Sequence, residues 1–285
     1  MGTGWSAHLV DPPESCEEEI EAVLTGVIAQ MSNWDVTSDI SRFNRTPPGT
    51  WTTIPADMMH VLRAGLDMAR LSNGAFDPAI GHVVAHWGFG PPSGGGATPA
   101  PWKAIELRDN RARRLSEVAL DFSGIAKGFA VDAVSDRLKA MGIANYLLEI
   151  GGELRGQGIK PDMQPWWVDV EAPPDMSVPT LRIALANLSV ATSGDYRRFR
   201  VEDGQRLSHS IDPASQRPIA NGVASVTVLH DSAMWADAWA TAITVMGAER
   251  GLALATRNAI AARLVMRDGD RGIEYMTPVL AAMLD

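Results

Sequence analysis

A chain of 285 residues can bury a sizeable core, either as one large domain or as two small ones. With 46% hydrophobic and 21% charged residues it has the balance of an ordinary globular protein, and a net charge of -9 excludes wholesale binding to a nucleic-acid polyanion. One cysteine, Cys16, excludes an intrachain disulfide framework and a zinc site built from several cysteines, and no apolar run reaches the length of a membrane-spanning helix.

In chain order, TGWSAHLVD predicts a first strand. The opening also fits the M-G-x-x-x-[ST] acylation pattern, but the strand is the preferred reading, and the basic and apolar regions of a secretory signal are missing from it. Ser15–Met31 carries apolar residues at helical spacing behind an acidic first turn, which complements the helix dipole. A polar loop, SNWDVTSDISRFNRTPPG, leads to a second amphipathic helix over Pro55–Ser72, stopped by Asn73-Gly74. GAFDPAIGHVVAHWGFG mixes turn residues with aromatics, and PPSGGGATPAP (91–101) reads as a flexible surface loop. Val118–Asp121 is strand-like, and Ile125–Met141 is an amphipathic helix closed by Gly142. Strand-like runs at Tyr146–Ile150, Trp166–Val170, Leu181–Ala184 and Ser189–Ala191, joined by turns, predict an antiparallel sheet. VASVTVL adds a strand, SAMWADAWATAITVMG a helix, Ala248–Thr256 another helix, and AARLVMRDGDRGIEYM a hairpin turning at Asp268-Gly269. Clustered strands with a few helices predict an α+β fold of mixed or antiparallel sheets in a single domain, rather than a doubly wound parallel sheet.

The helix after VASVTVL is the most informative segment. Asp237 and Thr241 lie one helical turn apart and share a face. Two hard oxygen donors there, with His209 upstream on a turn, can hold a magnesium ion beside a phosphate, the requirement of phosphoryl or nucleotidyl transfer. An acidic residue on an apolar helix face is costly to bury unless it is paired or ligates a metal. His209 precedes Pro213 in SHSIDP; a lone histidine there reads first as structural, and beside a metal-bound pyrophosphate it becomes a candidate general base. LDFSGIAKGFAVD runs from strand-like residues through small residues to a helix start, where free N–H groups and Lys127 can meet an anion. It is not a P-loop, and taken alone it reads more readily as an ordinary strand–helix turn. The Gly151-Gly152 pair reads as a turn, and Thr192 and Ser193 in VATSGDYRRF can face either a phosphate or solvent. His60, His82 and His86 read as structural, and Trp87, Trp166, Trp167, Trp235 and Trp239 as core packing.

The order of these blocks is more specific than any one of them. MSNWDVTSDISRFN, NGAFDPAIG, WGFG, LDFSGIAKGFAVD, IGGELRGQG, VATSGDYRRF, SHSIDP and ADAWATAITVMG follow the opening MGT and span nearly the whole chain. In this the sequence resembles the ApbE family, the FAD:protein FMN transferases. The resemblance implies an ApbE-type fold and an enzyme that uses FAD and Mg2+. Such an enzyme moves the FMN phosphate onto a Thr or Ser hydroxyl of a partner flavoprotein and releases AMP. It implies FAD contacts at Met1, Trp34, Ala75, Phe76, Asp77, Asp121, Lys127 and Ile211. Metal ligands are expected at the Gly124 carbonyl and the Asp237 and Thr241 side chains, with His209 as the base that activates the acceptor hydroxyl. Three residues depart from the family pattern: Trp34 replaces a tyrosine, DPASQRP has Ala214 for Arg and Gln216 for Gly, and Ala240 stands where some members carry an acid. The last makes a second, acid-bound metal less expected. The alternatives are hydrolysis of FAD to FMN and AMP at the same site, or FAD binding without catalysis. By resemblance the protein is expected in the periplasm or cell envelope, either leaderless or with its leader or anchor removed, and the cytoplasm is the alternative.

Overall fold

A computed structural model describes residues 3–92, 101–196, 198–202, 205–269 and 271–284. The elements are β1 (Trp5–Leu9), α1 (Cys16–Met31), α2 (Asp39–Arg45), β2 (Thr52–Thr53), α3 (Ala56–Leu71), α4 (Gly81–His86), β3 (Ile105–Arg108), β4 (Arg111–Arg114), α5 (Ala126–Ala140), β5 (Tyr146–Ile150), β6 (Glu153–Gln157), β7 (Trp166–Val170) and β8 (Leu181–Leu185). They continue with β9 (Leu188–Gly194), β10 (Phe199–Glu202), β11 (Gln205–Ser208), β12 (Ile211–Asp212), β13 (Arg217–Pro218), β14 (Val223–His230), α6 (Ala233–Arg257), β15 (Ala261–Asp268), β16 (Arg271–Met276) and α7 (Pro278–Leu284).

The largest sheet has seven strands in the order β1-β5-β6-β9-β14-β15-β16, and every neighbouring pair is antiparallel. Its two faces bury different clusters. Ala191, Val228 and Ala262 point into a core shared with α1, α3, α5 and α6, while their chain neighbours Val190, Leu229 and Ala261 point into a second cluster with β7, β8 and Leu280 of α7. A central strand covered on both faces has no polar side to display, so VASVTVL is a continuous buried run rather than an alternating one.

Most predicted elements stand within a residue or two of their expected bounds, with three differences. Within the expected polar loop, α2 forms because the Ser38 side chain accepts from Ser41 N–H and Ile40 and Phe43 are buried. Val118–Asp121 is not a strand. Its backbone makes one parallel bridge from Ala119 to Ile80 and donates from Asp121 N–H to Pro78 O (2.9 Å), and Asn44 both donates to Leu120 O (2.9 Å) and accepts from Leu120 N–H (2.7 Å). β7 and β8 pair with each other and lie across the second face of the main sheet instead of extending it. Trp167, on the outward side of β7, is 47% exposed and is not a core residue, whereas Trp166 and Trp239 are buried. The two helices expected on either side of Gly247 are both present: the run bounded above as α6 is broken at Gly247, whose backbone is not helical (φ 79°, ψ 176°). Residues 93–100 of the expected loop lie outside the described residues.

Candidate active site

The centre of the site is the crossing of α5 and α6. Asp121 Oδ1 accepts from Ser123 N–H (2.8 Å), turning the chain into α5, whose first turn carries Lys127. Gly128 follows, and its N–H donates to Asp237 Oδ2 on α6 at 3.1 Å. The reverse bond also forms: the Asp132 carboxylate on α5 accepts from Ala233 N–H (2.9 Å), Met234 N–H (3.0 Å) and Ser232 Oγ (2.7 Å) at the start of α6. Each helix thus caps or braces the other. A methyl group at Gly128 would sit 2.1 Å from Ala233 O, so only glycine permits this approach.

One turn along α6 from Asp237, Thr241 faces Gly124 so closely that a Cβ on the glycine would lie 2.8 Å from its Oγ1. Ser193 Oγ of β9 is 3.4 Å from the same hydroxyl. The Asp237 side chain is almost wholly buried, and that burial pushes its carboxyl pKa up against the opposing pull of the Lys127 charge and the Gly128 N–H. A buried carboxylate, a hydroxyl and a side-chain-free backbone at Gly124 form a hard-oxygen donor set that fits a small divalent cation such as Mg2+. Lys127 makes an ion pair with the buried Glu153 at the start of β6.

His209 lies between β11 and β12. Its Nδ1 is 3.0 Å from the Arg198 carbonyl oxygen, an atom that only accepts, so Nδ1 carries the proton of the neutral ring and Nε2 keeps its lone pair. Desolvation lowers the imidazole pKa below its ordinary 6.5, so the ring is neutral at neutral pH. The following loop keeps its turn despite the departures from the family pattern. Gln216 takes the left-handed conformation (φ 58°) that glycine would supply, and Asp212 accepts from Ala214 N–H (3.0 Å) and Ser215 N–H (3.3 Å).

One cleft of about 300 Å³ gathers Trp34, Ala75, Phe76, Asp77, Asp121, Gly124, Lys127, His209, Ile211, Asp237 and Thr241, every expected site residue among those described. Met1 lies outside the described residues. Thr192, Ser193 and Gly151, left open between turn and ligand contact, also line it. Trp34 stands 62% exposed, with its indole available to a flat ring. Asp77 is buried, accepts from Ala79 N–H (2.8 Å) and Trp102 N–H (3.2 Å), and has its carboxyl pKa pushed up to about 7 by desolvation. Sequence reasoning missed Thr3, Asn33, Phe89 and Arg198 in the wall, and the Glu153 partner of Lys127. His60 and His86 are exposed and do not line the cleft.

The family model for ApbE matches residues 1–264. The chain belongs to the ApbE family. It is 36% identical to an FAD:protein FMN transferase of Haemophilus influenzae, over 94% of this chain and 84% of that protein. To the Escherichia coli FAD:protein FMN transferase it is 28% identical, over 100% of this chain and 87% of that one. Among solved structures, the flavin transferase ApbE from Vibrio cholerae superposes with a TM-score of 0.89 at 35% identity, covering 99% of this chain and 96% of that one. The apo flavinyl transferase ApbE of Pseudomonas stutzeri gives 0.87 at 36% identity, with the same coverage. The α+β architecture described above is therefore the ApbE fold.

Proposed function

We propose that this chain is a Mg2+-dependent FAD:protein FMN transferase that acts on a Thr or Ser hydroxyl of a partner flavoprotein. The observation that carries the reading is the convergence, in one cleft, of a hard-oxygen cation site, a neutral histidine with a free Nε2 and an aromatic rim. Trp34 would stack on a planar ring of FAD. Lys127 and the amino end of α5 would meet the pyrophosphate. His209 Nε2 would take the proton of the acceptor hydroxyl as its oxygen bonds to the FMN phosphorus, while the bond from that phosphorus to the bridging oxygen breaks and AMP leaves. A divalent cation held by Gly124, Asp237 and Thr241 would supply charge neutralisation to the pyrophosphate and a better leaving group. Placement in the cell envelope is proposed on family resemblance alone and is tested by fractionating cells that express the protein.

The decisive experiment follows FAD binding and AMP release with and without Mg2+, in the presence and absence of a Thr-containing acceptor domain. AMP that appears only with acceptor, together with covalent flavin on that domain, supports the transferase. AMP and free FMN without acceptor make the protein an FAD pyrophosphatase instead, and tight FAD binding with no AMP removes catalysis altogether. Asp237→Ala is expected to abolish Mg2+-dependent transfer, because it supplies the one side-chain carboxylate of the proposed cation site. Unchanged transfer at limiting Mg2+ would take Asp237 out of that role.

A further inference from the structure

Glu153 is 1% exposed, although it carries a carboxylate. It begins β6 immediately after the Gly151-Gly152 turn, and pairing with β5 and β9 fixes that strand in the centre of the sheet. Its partner is the Lys127 ammonium, which comes from the first turn of α5. The next residue, Gly128, donates its N–H to Asp237. Lys127 is therefore anchored beside Asp237 at its backbone and drawn to Glu153 at its tip, and its charge still acts on both Asp237 and His209. A lysine is a compact charge on a flexible four-carbon stem. Released from Glu153, it has a second buried carboxylate within its field, and an ammonium settled on Asp237 would neutralise the oxygen a cation needs.

We propose that Glu153 is a positioning residue that draws the Lys127 ammonium away from Asp237 and thereby keeps the Asp237 carboxylate open to a divalent cation. The inference rests on the cation site named above. Its role differs from that of a structural counter-charge in one measurable way: the effect of Glu153 on metal uptake depends on Lys127 being present.

The test is a titration of the protein with Mn2+ alone, followed by loss of the free-ion EPR signal, on the parent, Glu153→Gln, Lys127→Met and the double variant, each first checked for a cooperative thermal transition. Glu153→Gln is nearly isosteric and is expected to weaken Mn2+ binding by about tenfold or more. Lys127→Met removes a positive charge near the site, so it is expected not to weaken Mn2+ binding by the parent and to restore most of the loss in the Glu153→Gln background, a non-additive coupling of two neighbouring groups. Binding by Glu153→Gln equal to the parent overturns the inference, and so does a Lys127→Met effect of the same size in both backgrounds. If the parent itself takes up no Mn2+, the cation site fails and the inference falls with it. Uptake by the parent that Glu153→Gln leaves unchanged removes the role of Glu153 alone.

Discussion

A single carbonyl oxygen, that of Arg198, decides which nitrogen of His209 can act as a base. Because the ring must be neutral to accept a proton and its pKa is lowered, the transfer rate is expected to rise with pH through a midpoint below 6.5 and then level off. His209→Ala should lose that acid limb and slow transfer more than it weakens FAD binding; a pH profile of kcat/KM that keeps the limb in the variant assigns it to another group. Asp77 gives the opposite sign. Its carboxyl, with a pKa of about 7 against an ordinary 3.8, binds a proton more readily in the folded chain than in the unfolded one. The stability this contributes is complete below the unfolded value and is lost as pH rises through about 7, by at most about 4 kcal/mol. In FAD-free protein, denaturant curves should show Asp77→Asn gaining on the parent between about pH 4 and pH 8; parallel curves would mean that the buried group does not hold its proton. That Asp237 and Thr241 share a helix face was legible from spacing alone, because a helix puts residues four apart on one side. Glu153 was not, since its meaning comes from a lysine on another element, and no local pattern joins the two.

At the scale of elements, the crossing of α5 and α6 governs the site. Gly128→Ala would drive a methyl group into Ala233 O and force the helices apart, an overpacking cost of about 1–3 kcal/mol or more. Because Asp237 and Thr241 ride on the displaced helix, divalent-cation binding should weaken in parallel. A stable Gly128→Ala protein with parental metal affinity would show that the close approach is not what sets the site. The helices were readable because their apolar period, acidic first turn and stop residues agree, as at Asn73-Gly74 and Gly142, all in positive φ. α2 was missed because seven residues with two buried apolar side chains give no periodic signal, and β7 and β8 were misassigned to the main sheet because a strand pattern carries no statement of its partner. The loop after His209 kept its shape because Gln216 tolerates a left-handed backbone, a cost that the identity of the residue does not disclose.

Over the whole molecule, Arg267 of β15 donates to Asp195 (2.6 and 2.9 Å) and to Asp175 (2.9 Å), and Asp175 also receives Arg206 of β11. The network fastens the β10–β11 hairpin, which leads directly to His209, onto the main sheet. Arg267→Met is expected to lower kcat by about tenfold or more while FAD affinity stays within about twofold, because the misplaced group is the base and not the binding cleft. A loss of FAD affinity with kcat preserved would move the network's influence to the cofactor side. The same sheet also settles where Thr3 lies. β1 pairs with β5 residue for residue from Trp5↔Ile150 to Leu9↔Tyr146, which brings Thr3 against Gly151 in the wall of the cleft. A bulky side chain in place of Thr3 would therefore stand in the cleft itself, in the way of an incoming substrate.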